Sequence, residues 1–440
     1  MRRRALAAAL ALPLASLSLA LARPLAAAGA ATASELHLGR FGRVVLHSPA
    51  APPRRVALLA SGGAGEDPDE KAVLREATEG GALVIEFDAR TYLRAGRGSQ
   101  AGKGACAHAA ADLEALSQQV QKQLGLPVYR PPILVGFASG ATLVEAALGQ
   151  APPNTFRGAI ALRLGPAPPA ETADCSGHGA SHAGIEILPE EGQPSRLDRF
   201  RGAWAELSAP PPRAAPPAAV ADLPLVEVPA KGSSPGAPLA VVLSGDGGWA
   251  GLDRELAQAL SERGIPTVGL NTLSYFWTAR NPDGMAADLS RVLRHYLAAW
   301  RRDRVLLIGY SYGAEVLPFM ASRLPKDLSA RVEGIAMLAP GPRTAFEFHV
   351  GNWLGAFGAG THDEHPVLPE VKRLGTALPG APILCLYREK ESDSLCPEMR
   401  PPLARSISFP GAHHFGGGYG AVADRLIAEL APRALGAPGK

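Results

Sequence analysis

The chain has 440 residues, of which 47% are hydrophobic and 19% are charged, so it has enough apolar residues for more than one core. Its formal charge of +3 includes four arginines within residues 1–33, and the remaining chain has 40 basic against 41 acidic residues. Disorder, collagen-like repeats and a coiled coil are excluded for the chain as a whole, and no clustered basic surface indicates nucleic-acid binding.

The first predicted element is a signal peptide at residues 1–33. Three arginines at residues 2–4 precede an apolar stretch at residues 5–22, and small residues follow. A charged start, an apolar middle and a small-residue cleavage site are typical of secretory signals. We expect cleavage after Ala33, or alternatively after Ala22, and export to the periplasm with association at the inner membrane surface. An uncleaved anchor helix is the other interpretation, because about 18 apolar residues suffice to span a bilayer.

An α/β domain is predicted for residues 34–208. Its apolar runs are short and continuous, which favours strands buried on both faces of a parallel sheet. These runs lie at residues 56–60, 81–85, 133–137 and 158–162.

A proline-rich linker at residues 209–221 separates this half from a second α/β domain at residues 222–440, because such a sequence forms neither a helix interior nor a central strand. The second half repeats the plan of the first, with amphipathic helices between its strands. The repeated apolar runs lie at residues 240–243, 264–268, 306–308 and 334–338.

Four cysteines follow the predicted signal, and one pair lies in each half. In an oxidising compartment an even number of cysteines permits disulfides. Cys106–Cys175 and Cys385–Cys396 is the pairing that keeps each bridge within one domain. Buried free thiols are the alternative.

A G-x-S-x-G motif at residues 309–313 lies between an apolar run and a predicted helix. In this context the two glycines allow a sharp strand-to-helix turn that lifts the Ser311 hydroxyl above the sheet as a nucleophile. A tight packing turn with an incidental serine is the alternative. The first half has Ala138 at the equivalent position, with Ser139 one step away, so we predict that it is degenerate and binds a ligand, a partner or the other domain.

A serine nucleophile needs a histidine base and an acid that orients it. Asp393 is our candidate acid because it follows a predicted late strand, with Glu391 and Glu389 as competitors. The base is predicted at His414, with His413 as the alternative, in the loop after the final strand.

An oxyanion hole requires preorganised N–H donors. One donor is predicted to be the amide of Tyr312, the residue after the nucleophile. The second is expected from Gly245 or Asp246, in a glycine-rich loop after an early strand.

No cofactor or metal is predicted. His362 and His365 have a spacing of three residues, but they lie in a polar loop without a third ligand nearby. His178 and His182 lie in a glycine-rich loop and are interpreted as solvated.

Four motifs of the second half together resemble the bacterial virulence protein family VirJ/AcvB. They lie at residues 244–249, 309–315, 393–397 and 411–415. The resemblance to the VirJ-type domain covers residues 222–434, and the duplicated first half resembles the longer AcvB arrangement. It implies two tandem α/β-hydrolase-like domains with mostly parallel sheets, the first of them degenerate.

The resemblance also implies a periplasmic serine hydrolase that cleaves the aminoacyl ester of aminoacyl-phosphatidylglycerol, lysyl or alanyl, and so regulates the charge of membrane lipids. Ser311, Asp393 and His414 or His413 would be its catalytic residues. The partners would be the membrane phospholipid substrate and a secretion-system or envelope protein. Gly416–Gly418 stands where we expect acidic residues, so an alanyl or another small aminoacyl group suits the protein as well as lysyl.

Two other functions remain open at the level of sequence. One is a periplasmic esterase or peptidase that acts on a soluble substrate. The other is a non-catalytic partner of a secretion system that retains the hydrolase fold for binding.

Overall fold

The computed structural model describes most of the chain from residue 32 onward, in fourteen stretches. They are residues 32–62, 67–99, 106, 108–152, 154–162, 175, 184–187, 195–209, 217–232, 236–249, 251–348, 364–389, 391–410 and 419–432. Residues 1–31, most of the predicted signal peptide, lie outside this part.

Two seven-stranded sheets organise the described residues. The strands of the first sheet are β1 (Thr32–Leu38), β2 (Gly42–Ser48), β3 (Arg55–Ser61), β4 (Ala82–Asp88), β5 (Ile133–Phe137), β6 (Gly158–Leu162) and β7 (Gly184–Ile187). Its helices are α1 (Pro68–Glu79), α2 (Ala89–Ser99), α3 (Ala109–Gln123), α4 (Ser139–Gln150) and α5 (Arg196–Ser208).

The second half follows the same plan and adds a short two-stranded ladder. Its strands are β8 (Leu225–Val228), β9 (Leu239–Leu243), β10 (Thr267–Leu270), β11 (Val305–Tyr310), β12 (Val332–Leu338), β13 (Arg343–Thr344), β14 (His365–Pro366), β15 (Ile383–Arg388) and β16 (Arg405–Phe409). Its helices are α6 (Gly251–Glu262), α7 (Thr272–Tyr275), α8 (Pro282–Ala299), α9 (Tyr312–Ala321), α10 (Lys326–Ser329), α11 (Val367–Ala377) and α12 (Tyr419–Leu430).

The strand order shows the duplication directly. The first sheet runs β1-β2-β4-β3-β5-β6-β7, and the second, read from its other edge, runs β8-β10-β9-β11-β12-β15-β16. Six consecutive strands correspond, from β2 and β8 to β7 and β15. In both sheets the pairing is parallel except towards the edge that contains β2 or β8. The prediction of two tandem α/β domains, based on continuous apolar runs, is confirmed.

Each sheet carries helices on both faces because alternate residues of a strand point in opposite directions. In β9, Leu239 and Val241 pack in the core beneath α8, α9 and α11, whereas Ala240 and Val242 pack beneath α6 and α12. The parallel strands end at one edge of the sheet, where open α/β sheets bind their ligands. The loops after β9, β11, β12 and β15 all begin at that edge.

Corresponding tyrosines in the two halves make the same contact. The hydroxyl of Tyr92 donates to Asp112 Oδ2 at 2.7 Å, and that of Tyr275 donates to Asp288 Oδ2 at 2.7 Å. Both hydrogen bonds join the segment after the second repeated strand to a helix.

The ends of the predicted segments fall on structured residues. β1 begins at Thr32, so cleavage of the signal after Ala33 would remove the first two residues of this strand, and cleavage after Ala22 would leave it whole.

At the linker, Val220 is fully buried in the core of the second domain, whereas the proline-rich residues 210–216 lie outside the described part. Among the described residues no helix combines the length and the apolar character that crossing a membrane requires.

Candidate functional site

Ser311 occupies a strained turn between β11 and α9. Its φ of 51° and ψ of −120° lie in a region that residues with a side chain seldom adopt. The turn is held by a hydrogen bond of 2.8 Å from Ser311 N to Leu338 O, at the end of the neighbouring β12. This is the conformation that a nucleophile elbow requires, with the serine at the carboxyl edge of the sheet.

The two glycines of the motif are required by close packing of the backbone. A Cβ on Gly313 would lie 2.3 Å from Leu243 O in β9, and a Cβ on Gly309 would lie 2.5 Å from Gly313 O. Both distances are far shorter than real contacts of a Cβ atom. The motif therefore reflects the approach of α9 to β9 and β11 as well as chemistry.

The first domain has the same turn without a nucleophile. Ala138 has φ of 49° and ψ of −111°, nearly the same conformation as Ser311. The next residue, Ser139, is fully buried and donates a hydrogen bond of 3.4 Å to Gly62 O. Its hydroxyl is therefore directed into the protein, at a position that differs from that of Ser311.

A cavity of about 220 Å³ opens beside Ser311. Four carboxylates and one guanidinium line it, together with small and aromatic side chains. The lining residues are Asp246, Ser311, Tyr312, Glu315, Arg343, Thr344, Ala345, Glu347, Phe348 and Glu364.

The residues predicted for the oxyanion hole lie next to the nucleophile. Tyr312 is the first residue of α9, where N–H groups have no partner within the helix. A Cβ on Gly245 would lie 3.7 Å from the Cβ of Ser311, so the loop after β9 passes close to the serine. The buried Ser244 hydroxyl anchors this loop, because it accepts a hydrogen bond of 3.0 Å from Thr272 N. The geometry is compatible with both predicted donors, Gly245 and Asp246.

The candidate acids lie in the loop that follows β15. The disulfide Cys385–Cys396, with a Cα–Cα distance of 5.5 Å, closes the segment that contains them. Glu391 Oε2 accepts a hydrogen bond of 2.9 Å from Arg388 N, so this carboxylate closes a turn at the end of the strand. The side chain of Asp393 is exposed. Glu389, the other competitor, is also exposed, and its amide donates a hydrogen bond of 3.1 Å to Phe409 O. Of Asp393 and Glu391, Asp393 is the carboxyl that does not close this turn.

The predicted base lies outside the described residues. His413 and His414 follow β16, whose last residue, Phe409, pairs with Arg388 at the end of β15. The histidine loop therefore starts at the same edge of the sheet as the acid loop. The assignment of His414, with His413 as the alternative, stays a prediction.

The second disulfide, Cys106–Cys175, has a Cα–Cα distance of 5.2 Å and lies within the first domain.

In the described residues no group of three or more His, Cys, Asp or Glu side chains could hold a metal ion. Among the histidines considered for a metal, His365 stacks on the ring of Phe346 at 4.4 Å, and His362, His178 and His182 lie outside the described part.

Glu315 is a pocket residue that the sequence analysis did not assign. Burial raises the pKa of its carboxyl to about 7, hydrogen bonds from Gly341 and Thr344 oppose this effect, and the charges of Asp246 and Asp393 add to it. Its Oε1 accepts a hydrogen bond of 3.1 Å from Gly341 N. Glu315 follows Ser311 by four residues in a helix, and this spacing is the signal that could have identified it.

Two other carboxylates of the pocket have cationic partners. Glu364 pairs with Arg343 at 2.8 Å, and Glu347 pairs with Lys122 of the first domain at 2.7 Å. No local pattern in the sequence links these residues to Ser311, because each lies more than 30 residues from it.

Comparison with known proteins shows that the second domain is similar to one family. A family model described as bacterial virulence protein (VirJ) matches residues 237–434, and a search of curated proteins gave no match. Similar solved structures include an alpha-beta serine hydrolase homologue from Coxiella burnetii, with 18% identity, coverage of 47% of this chain and 91% of that chain, and a TM-score of 0.31.

Two further solved structures are similar over the same share of the chain. Proline iminopeptidase from Mycobacterium smegmatis has 14% identity, covers 48% of this chain and 95% of its own, and has a TM-score of 0.33. Est1E from Butyrivibrio proteoclasticus has 12% identity, covers 48% and 93%, and has a TM-score of 0.33. The match over residues 237–434, a range that contains the serine elbow, makes the second domain similar to the family of bacterial virulence proteins described as VirJ.

Proposed function

We propose that the protein is a periplasmic serine hydrolase that cleaves the aminoacyl ester of aminoacyl-phosphatidylglycerol, with lysyl or alanyl as the acyl group. The observation that carries the proposal is the position of Ser311 at the wall of a pocket lined by four carboxylates. An aminoacyl group bears at least one ammonium, and carboxylates bind ammonium groups through charge-assisted hydrogen bonds.

The size of the pocket favours an acyl group as its occupant. Its volume of about 220 Å³ is below the ~300–1,000 Å³ of pockets that enclose drug-sized ligands. In the proposed complex the amino acid enters the pocket, and the phosphatidylglycerol alcohol stays towards the membrane. Either alanyl or lysyl is compatible with the carboxylates, since both carry the α-ammonium.

The chemistry proceeds in two steps. In the first, Ser311 Oγ attacks the ester carbonyl and passes its proton to the histidine, and the oxyanion accepts hydrogen bonds from the amides of Tyr312 and Gly245 or Asp246. Collapse of this intermediate breaks the bond to the lipid oxygen, which takes the proton. In the second step, water attacks the acyl-enzyme with the same histidine as base. This step releases the free amino acid and regenerates the serine hydroxyl.

The cellular location is part of the proposal. A signal at residues 1–33 would export the chain, and the two disulfides are compatible with an oxidising compartment. Aminoacylated phosphatidylglycerol would then be met at the periplasmic face of the inner membrane.

The first prediction concerns the substrate. Purified protein is expected to release alanine or lysine from vesicles that contain the aminoacyl lipid, and N-acetylation of the α-amino group should lower kcat/KM for the alanyl lipid by about 10- to 100-fold. This range corresponds to the loss of one hydrogen bond to a charged group, about 1.5–3 kcal/mol. The measurement is amino-acid release from both lipids at one vesicle concentration.

Two results would replace the proposal by its alternatives. Faster turnover of short soluble esters than of either lipid would favour an esterase or peptidase of soluble substrates. Failure of a fluorophosphonate probe to label Ser311, together with no release of amino acid, would favour a binding partner of a secretion system.

The second prediction concerns Glu315. Because its pKa is raised to about 7, this carboxyl is neutral at lower pH and becomes charged as the pH rises through that value. The side-chain ammonium of a lysyl ester stays charged to about pH 10. The kcat/KM for this ester should therefore rise through this range more than the kcat/KM for the same ester acetylated at the side-chain amine. Glu315→Gln should abolish this difference and lower kcat/KM for the lysyl ester by about 10-fold or more.

The ratio of the two substrates at each pH separates Glu315 from the histidine base, whose titration affects both esters equally. Glu364→Gln is the matched control, because Glu364 lines the same pocket but is paired with Arg343. If the ratio in Glu315→Gln still rose with pH as in the native protein, Glu315 would not be the carboxylate that binds the ammonium.

A further inference from the structure

We propose that the first domain supports one wall of the substrate pocket, and that Lys122 is a positioning residue that sets the charge of this wall through Glu347. The class of substrate that senses this charge, an aminoacyl ester, rests on the proposed function. The strained turn at Ala138 has no hydroxyl, so the role proposed for the first domain rests on other residues.

The ion pair between the two domains is well defined. Lys122, in the last turn of α3, places its Nζ 2.7 Å from Glu347 Oε1 and 2.6 Å from Trp277 O. The side chains of Lys122 and Glu347 are 24% and 35% exposed. Such partial burial makes the pair stronger than one on the surface, since solvent screens it less. Glu347 lines the pocket, so the charge of Lys122 acts on the space that the acyl group would occupy.

An apolar contact next to this pair fixes the same wall. Tyr129 of the first domain packs with Leu273, Trp277 and Phe348 in one buried cluster. The ring centroids of Tyr129 and Trp277 are 5.2 Å apart, and those of Trp277 and Phe348 are 5.8 Å apart. Trp277 Nε1 also donates a hydrogen bond of 2.6 Å to Leu126 O. Because Phe348 lines the pocket, the first domain supports this wall through packing as well as charge.

The first domain also contacts the loop that follows β9. Asn154 Nδ2 donates a hydrogen bond of 3.3 Å to Trp249 O, at the end of the loop that contains Gly245 and Asp246. Burial raises the pKa of Glu114 in α3 to about 8, and the charge of Asp246 adds to this effect. The first domain therefore contacts the loop after β9 as well as the segment after β13, and both segments contribute residues to the pocket lining.

The consequence is a prediction about selectivity. Lys122 offsets the negative charge of Glu347, so its removal leaves an additional negative charge beside the acyl group. A lysyl ester carries two ammonium groups and an alanyl ester carries one, so the lysyl ester should gain more. In Lys122→Met the ratio of kcat/KM for lysyl to kcat/KM for alanyl is expected to rise about 5- to 10-fold, the size of a partly screened interaction between charges.

Two further variants complete the test. Glu347→Gln should lower the same ratio, because it leaves the positive charge of Lys122 beside the pocket, and Lys122→Met combined with Glu347→Gln should return the ratio close to the native value. A purely structural role would change both substrates alike and leave the ratio constant. Lys231→Met is the control for the loss of a lysine charge, since Lys231 pairs with Glu262 at 3.2 Å, at a more exposed position outside the pocket lining.

The experiment uses the full chain with soluble lysyl and alanyl esters of one alcohol and with the corresponding lipids. An unchanged ratio in Lys122→Met, in a protein that hydrolyses these esters, would overturn the inference and leave the proposed function intact. Absence of hydrolysis of every ester by the native protein would overturn the proposed function itself. Hydrolysis of the soluble esters but not of the lipids would remove the lipid substrate, and the ratio in the variants would still test Lys122.

Discussion

Replacement of Ser311 by alanine is expected to lower kcat for ester hydrolysis by about 10⁴-fold or more, because residues 309–313 contain no second serine or threonine. The residual rate would come from binding and from the oxyanion donors alone. The fold should persist, since the alanine at position 138 of the first domain already occupies the same backbone conformation. Release of amino acid from aminoacyl lipid, measured beside the unfolding transition, checks both statements.

The first domain supplies the control for this experiment. Ser139→Ala removes a serine hydroxyl one residue beyond the degenerate elbow, where it donates to Gly62 O. We expect nearly native kcat and only a modest decrease in the free energy of unfolding, about 1 kcal/mol for one hydrogen bond. A large loss of kcat in Ser139→Ala, with native activity in Ser311→Ala, would move the catalytic site to the first domain.

Replacement of Asp393 by asparagine is expected to lower kcat by about 10⁴-fold, the effect of losing the acid that holds a catalytic histidine in its reactive tautomer. The substitution preserves the shape of the side chain, and the disulfide Cys385–Cys396 keeps the loop closed. The loss should therefore appear in kcat, with little change in KM or in the melting temperature.

Glu391→Gln distinguishes Asp393 from its competitor Glu391. The Glu391 carboxylate accepts a hydrogen bond from Arg388 N, which ties it to the end of β15. We expect its loss of charge to weaken this turn and to leave kcat within a few-fold of native. The reverse result, a normal Asp393→Asn and an inactive Glu391→Gln, would assign the acid to Glu391.

The sequence predicts the features that depend on neighbouring residues. Buried strands such as β9 and β11 are continuous apolar runs because both faces of a parallel sheet are covered by helices. The G-x-S-x-G elbow is also predictable from the sequence. Close backbone contacts require glycine at positions 309 and 313, and these two positions belong to one strand-turn-helix unit. These local requirements also reveal the duplication, because each half repeats them in the same order.

The features that the sequence does not predict depend on contacts between distant segments. Glu347 reaches the pocket through the segment after β13, and its partner Lys122 lies 225 residues earlier, in the other domain. No periodicity or motif encodes such a pair. The linker boundary has the same limitation, because Val220 belongs to the second core through packing that becomes visible only in three dimensions.

The turn at Ala138 also has a consequence for the history of the chain. A non-glycine residue at positive φ carries an energetic cost of order 1 kcal/mol, and the first domain still bears it with a methyl group in place of a hydroxyl. Its glycines have the same crowded surroundings as those of the other elbow, with a Cβ on Gly140 only 2.0 Å from Ala60 O. The sharp bend is therefore maintained without the hydroxyl, and at this position the side chains of the two domains differ only by the oxygen atom of Ser311.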